Sequence, residues 1–198
     1  MRKLAVALKI SALMAAAILV GGGCAEDDDD DFGSGVTNYK VEKVVSATDD
    51  SQIKAIFDQT NSFRTGNEAY YLNSDNKTNK NLVGKLGKLT LDENLCKAAA
   101  IRAEEIVNKF AHERHNGSSC FTVLKDCSIR YGFAAENIAA GSSTGSATFN
   151  QWKEDGRPYS GQGHRRSMLS ESATKIGLAY AYSSEAPYKY YWVMELTD

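Results

Sequence analysis

The chain of 198 residues holds only three histidines, and all three fall in two short segments. His112 and His115 lie in His112-Glu113-Arg114-His115-Asn116-Gly117. His164 lies in Gly161-Gln162-Gly163-His164-Arg165-Arg166-Ser167-Met168-Leu169. Between them, residues 134–141 carry Glu136-Asn137-Ile138-Ala139 and end at Gly141. One carboxylate and one imidazole, Glu136 and His164, each read as standing at the mouth of a glycine-flanked turn. A fold that brings two turns and the end of a helix together around these side chains is the strongest constraint the sequence offers. The remainder of the chain reads as scaffold.

Apolar periodicity supplies that scaffold. Asp49-Asp50-Ser51 reads as a helix start, followed by Ile53, Ile56, Phe57 and Phe63 at helical spacing up to Arg64. Asn61 and Arg64, near its end, read as capping and pairing residues. Residues 67–88 are polar and glycine-rich and read as a surface loop. Residues 90–108 give the clearest helix. Asp92 is its N-cap, Leu95, Ala98, Ala99, Ala103, Ile106 and Val107 form its apolar stripe, and Lys97, Arg102, Glu104 and Glu105 are read as facing out. A short helix is expected over residues 120–131, another over 147–153, and a helical turn over 164–169. Residues 175–182 and 188–196 alternate, with Ile176, Leu178 and Tyr180 on one side of the first and Tyr191, Val193 and Glu195 on one side of the second, and read as two antiparallel strands. The pattern is α+β, a sheet covered by helices.

The first 24 residues read as an export signal. Arg2, Lys3 and Lys9 precede or open an apolar run from Ile10 to Val20, and Gly21-Gly22-Gly23 supplies small residues for cleavage. The run is shorter than the roughly 20 apolar residues a membrane-spanning helix needs. Cys24 directly follows the small residues and resembles the lipidated cysteine of a bacterial lipobox, although a glycine stands where such motifs usually carry Leu. Residues 25–48 are expected to be a solvated tether, because the five aspartates from Asp27 to Asp31 repel one another and bury nothing. An exported protein results, held at the cell surface or in the periplasm by a lipid or else secreted. Residues 49–198 form its folded domain. With a net charge of -2 and no basic stripe, nucleic acid is not an expected partner.

Four segments, in order, resemble the CAP superfamily of cysteine-rich secretory proteins, antigen 5 and pathogenesis-related proteins. Residues 110–119 resemble its His-x-Arg-Pro-Asp-Gly-Ser segment, with His115 and Asn116 in place of Pro and Asp. Glu136-Asn137-Ile138-Ala139 matches its Glu-Asn-Ile/Leu-Ala motif. Trp152 followed by residues 163–169 matches Trp…Gly-His-Arg-x-Asn-Met/Ile-Leu, with Ser167 in place of Asn. Residues 175–178 and 191–196 match its closing strands, and residues 58–64 its opening helix. The resemblance implies a three-layer α-β-α sandwich with a cavity lined by two histidines and two acids. Carried over, these are His112, His164, Glu136 and either Glu154 or Asp155, with Glu154 favoured. His112, His164 and Glu136 would be the metal ligands in members that bind a divalent ion.

Two imidazoles beside carboxylates suit zinc or another divalent cation. A metal-assisted hydrolase and an extracellular binding module for lipid, glycan, peptide or protein are both compatible with them. The binding module is favoured, since fold resemblance fixes no reaction. There is no Gly-x-Ser-x-Gly elbow and no His-Glu-x-x-His pair. Of the three cysteines left after Cys24, Cys120 and Cys127 are the nearest disulfide candidates, with Cys96 able to pair with either.

Overall fold

A computed structural model describes residues 38–198. The export segment, Cys24 and the aspartate run lie outside the described residues. The elements are, in order, β1 (Lys43–Val45), α1 (Ser51–Thr65), β2 (Tyr70–Leu72), β3 (Asn79–Asn81), β4 (Thr90–Leu91), α2 (Glu93–Asn108), α3 (Thr122–Asp126), β5 (Ala134–Ala140), α4 (Gly145–Lys153), α5 (Gly163–Met168), β6 (Lys175–Tyr182) and β7 (Tyr190–Thr197). A single 3₁₀ turn, Tyr159–Gly161, precedes α5.

The main sheet runs β1-β6-β7-β5, with β4 joined to β6. β6 and β7 pair antiparallel from Lys175↔Thr197 to Tyr182↔Tyr190. β5 adds to β7 from Ala134↔Thr197 to Ala140↔Tyr191 and forms an outer edge. Successive side chains of a strand point to opposite faces, so the sheet has two buried faces. Ile138, Ala179, Ala181, Tyr191 and Val193 pack on Ala99, Ala103, Ile106 and Val107 of α2. Ile176, Leu178, Trp192, Met194 and Leu196 pack with Ile53, Ile56 and Phe63 of α1, Phe149 and Trp152 of α4, and Met168 of α5. This is the α-β-α sandwich.

Local chemistry fixes the long helices. The Asp50 carboxylate accepts from the amides of Gln52 and Ile53, and Asp92 accepts from those of Asn94 and Leu95, satisfying amides that a helix leaves unpaired at its start. Helix α2 lies so close to the sheet that a Cβ on Gly177 would fall 2.2 Å from the Leu95 carbonyl carbon. Arg64, at the end of α1, donates to the carbonyls of Gly87, Met168, Ser170 and Ala173. It thereby ties the end of α5 to the core.

Several expectations need correction. Residues 67–88 are not only loop, since β2 and β3 form a two-stranded ribbon. The short helix narrows to α3. Residues 134–140 are a strand rather than a turn. The tether expected to reach residue 48 gives way sooner: Tyr39 and Val41 pack against the α2 core, and β1 pairs with β6. The disulfide expected between Cys120 and Cys127 is absent, and Cys96, Cys120 and Cys127 are all free thiols. Cys120 precedes α3 and Cys127 caps its end. Cys120 is instead buried beside His112 and Glu136, while Cys127 is only half-buried.

Candidate functional site

The site is built around the outer edge of β5. Glu136 points to the α2 side of the sheet and is 2 % exposed. Its Oε2 accepts from Arg102 Nε at 2.7 Å. Its Oε1 accepts from Arg102 Nη2 at 3.3 Å and lies 2.8 Å from His112 Nδ1. Arg102 is fully buried and does not face out. It also binds Glu105 at 2.6 Å and the Ala111 carbonyl at 2.8 Å, which holds the chain just past α2 where His112 stands. Burial alone would raise the Glu136 carboxyl, but the His112 hydrogen bond and charge and then the Arg102 guanidinium overcome it, and the group titrates below the usual carboxylate range.

The neighbouring residue, Asn137, turns to the other face and donates to the His164 carbonyl at 3.2 Å. His164 opens α5 and is 1 % exposed. Its Nδ1 lies 2.7 Å from Glu154 Oε1, and the other Glu154 oxygen accepts from the Arg165 amide at 3.3 Å. Glu154 ends α4 in the left-handed region, at φ 51°. Such a position favours glycine or asparagine, so the chain carries about 1–2 kcal/mol of backbone cost there to aim a carboxylate at His164. Asp155 is exposed and pairs with Arg165 and Lys153. Arg165 is buried and further held by the carbonyls of Glu68, Tyr70 and Lys153.

Consecutive residues of one edge strand thus hold both histidines, Glu136 through the His112 imidazole on one face and Asn137 through the His164 backbone carbonyl on the other. Each histidine has its Nδ1 on a carboxylate. In each, Nε2 is buried and has no hydrogen-bond partner. Only in a neutral ring that donates from Nδ1 to its carboxylate would Nε2 present a lone pair. Metal-binding histidines are commonly oriented this way, their second nitrogen donating to a carboxylate, so each histidine fits a divalent ion; but among the described residues His164, expected to share an ion with His112 and Glu136, does not join their close group of donor atoms. His115 stands apart, exposed, with Nε2 on the Glu105 carbonyl at 2.7 Å.

The reading of the sequence missed two more groups. Glu195 lies directly across from Glu136 in the β5–β7 register, fully buried, and neither of its oxygens receives a hydrogen bond. Burial, then the Glu136 charge and a hydrogen bond to Glu136, push its carboxyl well above the ordinary range. Cys120, also fully buried, is the second. Its donor atom and those of His112 and Glu136 lie within 4.8 Å of one another. Arg102 and Glu195 both had a signal in the sequence. Position 102 falls on the α2 stripe set by Leu95, Ala98, Ala99, Ala103 and Ile106, and Glu195 shares its alternation with Tyr191 and Val193. A charged residue inside a buried pattern marks a paired interior group.

Two concavities lie elsewhere. One, of about 450 Å³, is walled by Tyr70, Asn76, Asn79, Arg157, Pro158 and Gln162 among others. The other, of about 210 Å³, lies between Phe63, Phe149 and Lys153. Neither has His112, Glu136, Glu154 or His164 in its wall.

A sandwich of this topology, with acid–histidine pairs on the edge strand, defines a class. The chain belongs to the CAP, or cysteine-rich secretory protein, family, whose match spans residues 57–196. It is 32% identical over 100 residues to the uncharacterized protein YkwD of Bacillus subtilis, a match covering 50% of this chain and 37% of that protein. The chain therefore spans well under half the length of this relative. Among solved structures, it resembles an extracellular SCP-domain protein of Bacillus anthracis, with TM-score 0.51 and 23% identity over 73% of this chain and 39% of that one. It also resembles an outer surface protein of Borrelia burgdorferi, with TM-score 0.56 and 14% identity over 77% of this chain and 95% of that one. At these identities the likeness concerns the fold.

Proposed function

We propose that the protein is an exported CAP domain that acts at or outside the cell surface as a binding module, with a divalent ion held in its histidine cavity. The observation that carries the metal reading is the pair of buried, unpartnered Nε2 atoms on His112 and His164, each backed by a carboxylate. An isolated buried polar atom is costly unless something meets it. Nitrogen donors favour zinc or another first-row cation over calcium. In this reading Glu136 and Glu154 orient the imidazoles, and the bound ion, when present, supplies a Lewis acid that stiffens the edge of the sandwich. Binding of lipid, glycan, peptide or protein falls to surface concavities such as that beside Tyr70 and Arg157. A metal-assisted hydrolase would need a substrate cleft opening on His112 and His164, and the two concavities described open elsewhere. Export accords with the apolar segment before Cys24 and with the extracellular and outer-surface proteins among the similar structures.

Calorimetric titration of the full chain with zinc and with calcium tests the metal reading. Zinc is expected to bind with a stoichiometry of one, calcium far more weakly, and His164→Ala and His112→Ala are each expected to abolish tight zinc binding. Zinc binding untouched by both substitutions would remove the cavity from consideration. Growth on labelled fatty acid tests the anchor: label should enter wild type and not Cys24→Ser.

A further inference from the structure

The larger concavity lies between the β2–β3 ribbon and the segment that leads into α5. Two side-chain amides lace these parts together. Gln162 Oε1 accepts from the Leu72 amide at 2.8 Å, and Asn76 Oδ1 accepts from the Tyr159 amide at 2.6 Å. Asn76 stands at φ 54°, a left-handed position that asparagine tolerates. Both side chains thus turn their oxygen to the protein. Among the described residues neither NH2 group has a hydrogen-bond partner, although Gln162 is only 5 % exposed. Both residues line the concavity.

Arg157 adds a charge to this wall. It is exposed, and among the described residues it pairs with no carboxylate. The nearest acid in sequence, Asp155, is taken by Arg165 and Lys153. Asp75, beside Asn76, accepts from the amides of Lys77 and Thr78. An amide NH2 and a guanidinium only donate. Gln162, Asn76 and Arg157 therefore call for a ligand rich in acceptors, and one free guanidinium matches one negative charge. A carboxylate meets both conditions, since it accepts without donating and fits the guanidinium fork. Apolar surface comes from Leu72, Pro158 and Tyr70, which is 37 % exposed. An extended peptide would dock by adding to a strand edge. Here the Tyr70 carbonyl and the Leu72 amide are already taken, by Arg165 Nε at 2.6 Å and by Gln162. A sugar ring needs no strand edge, and its C–H face suits an aromatic wall.

We propose that this concavity binds a saccharide carrying one carboxylate. Arg157 meets the carboxylate, the Gln162 and Asn76 amides donate to it or to the sugar oxygens, and Tyr70 packs against the ring. The proposal rests on the reading of the domain as a binding module and names the ligand class which that reading leaves open.

Titration of the isotope-labelled full chain with a glucuronosyl disaccharide, followed by NMR, tests this. The side-chain amide signals of Gln162 and Asn76 are expected to move and saturate. The uncharged methyl ester of the same disaccharide should bind roughly 10-fold more weakly or worse, because hydrogen bonds to charged groups are the stronger ones. Arg157→Gln, at an exposed position, should lose affinity by a similar factor. Gln162→Glu keeps an oxygen for the Leu72 amide, sets a carboxylate where the NH2 stood, and should abolish binding. Should that variant fail to fold, Arg157→Gln and the ester decide. Acid and ester binding alike would overturn the role of the carboxylate while leaving the concavity a binding site. Saturation of the same signals by inorganic sulfate or by a tripeptide, at the concentration the disaccharide needs, would overturn the saccharide. No shift with any of these probes would overturn the proposal and remove this concavity from the binding-module reading.

Discussion

At the scale of single residues, the interior of this domain is unusual in its charges. Arg102 reaches Glu136 and Glu105 from a fully buried position. Replacing it with Met keeps the volume but strands the Glu136 carboxylate, and removing one partner of a buried pair costs about 3–5 kcal/mol. Urea unfolding of Arg102→Met at neutral pH should show that loss, and Arg102→Met/Glu136→Gln should recover much of it. Glu195 behaves in the opposite sense. Its folded-state carboxyl titrates above the unfolded one. The folded state therefore holds a proton that the unfolded state has released, and stability falls as pH rises from the unfolded value through the folded one, by about 1.4 kcal/mol per unit. In metal-free protein Glu195→Gln abolishes this penalty. The variant should match wild type near pH 4 and gain over it progressively toward neutral pH. An equal difference at all pH values would show that Glu195 is ionised in the fold.

At the scale of elements, what the sequence disclosed depended on how each element meets solvent. Helix α2 has a polar face, so its stripe was plain; β6 and β7 are buried on both faces like β5, but their large apolar and aromatic side chains still read as strands to within a residue or two. Strand β5 was taken for a turn. Its Ala135 and Ala139 face one core, Glu136 and Ile138 the other, and with both faces buried no apolar–polar alternation remains to reveal a strand. The same burial hid Arg102 and Glu195, since a stripe interrupted by one charge reads as a helix or strand with one exposed position. Cys120 carried no signal, because its approach to His112 depends on the fold-back of residues 112–120. The closeness of α2 to β6 yields its own test. Gly177→Ala would drive a Cβ into Leu95 backbone and side chain. Overpacking of this kind costs typically about 1–3 kcal/mol and can cost more. A thermal midpoint unchanged from wild type would mean the two elements can part more easily than their packing implies.

At the scale of the whole molecule, one sandwich carries everything described, from Tyr39 to the last strand, and it should unfold as one unit. Zinc that binds the folded form alone adds about 2.7 kcal/mol when present at 100 times its dissociation constant. The zinc-loaded protein should therefore melt in a single transition shifted upward, and His164→Ala should cancel the shift without splitting the transition. The outer border of the sheet has a further consequence. Among the described residues strand β5 has no strand on its far side, and there the Ile138 carbonyl takes the Trp152 indole N–H at 3.1 Å. Open strand borders invite another chain to add on. Trp152 acts as a stopper against such end-to-end joining. Trp152→Phe should keep the ring's bulk, free the carbonyl, and leave a protein that is folded when dilute but forms fibres when concentrated.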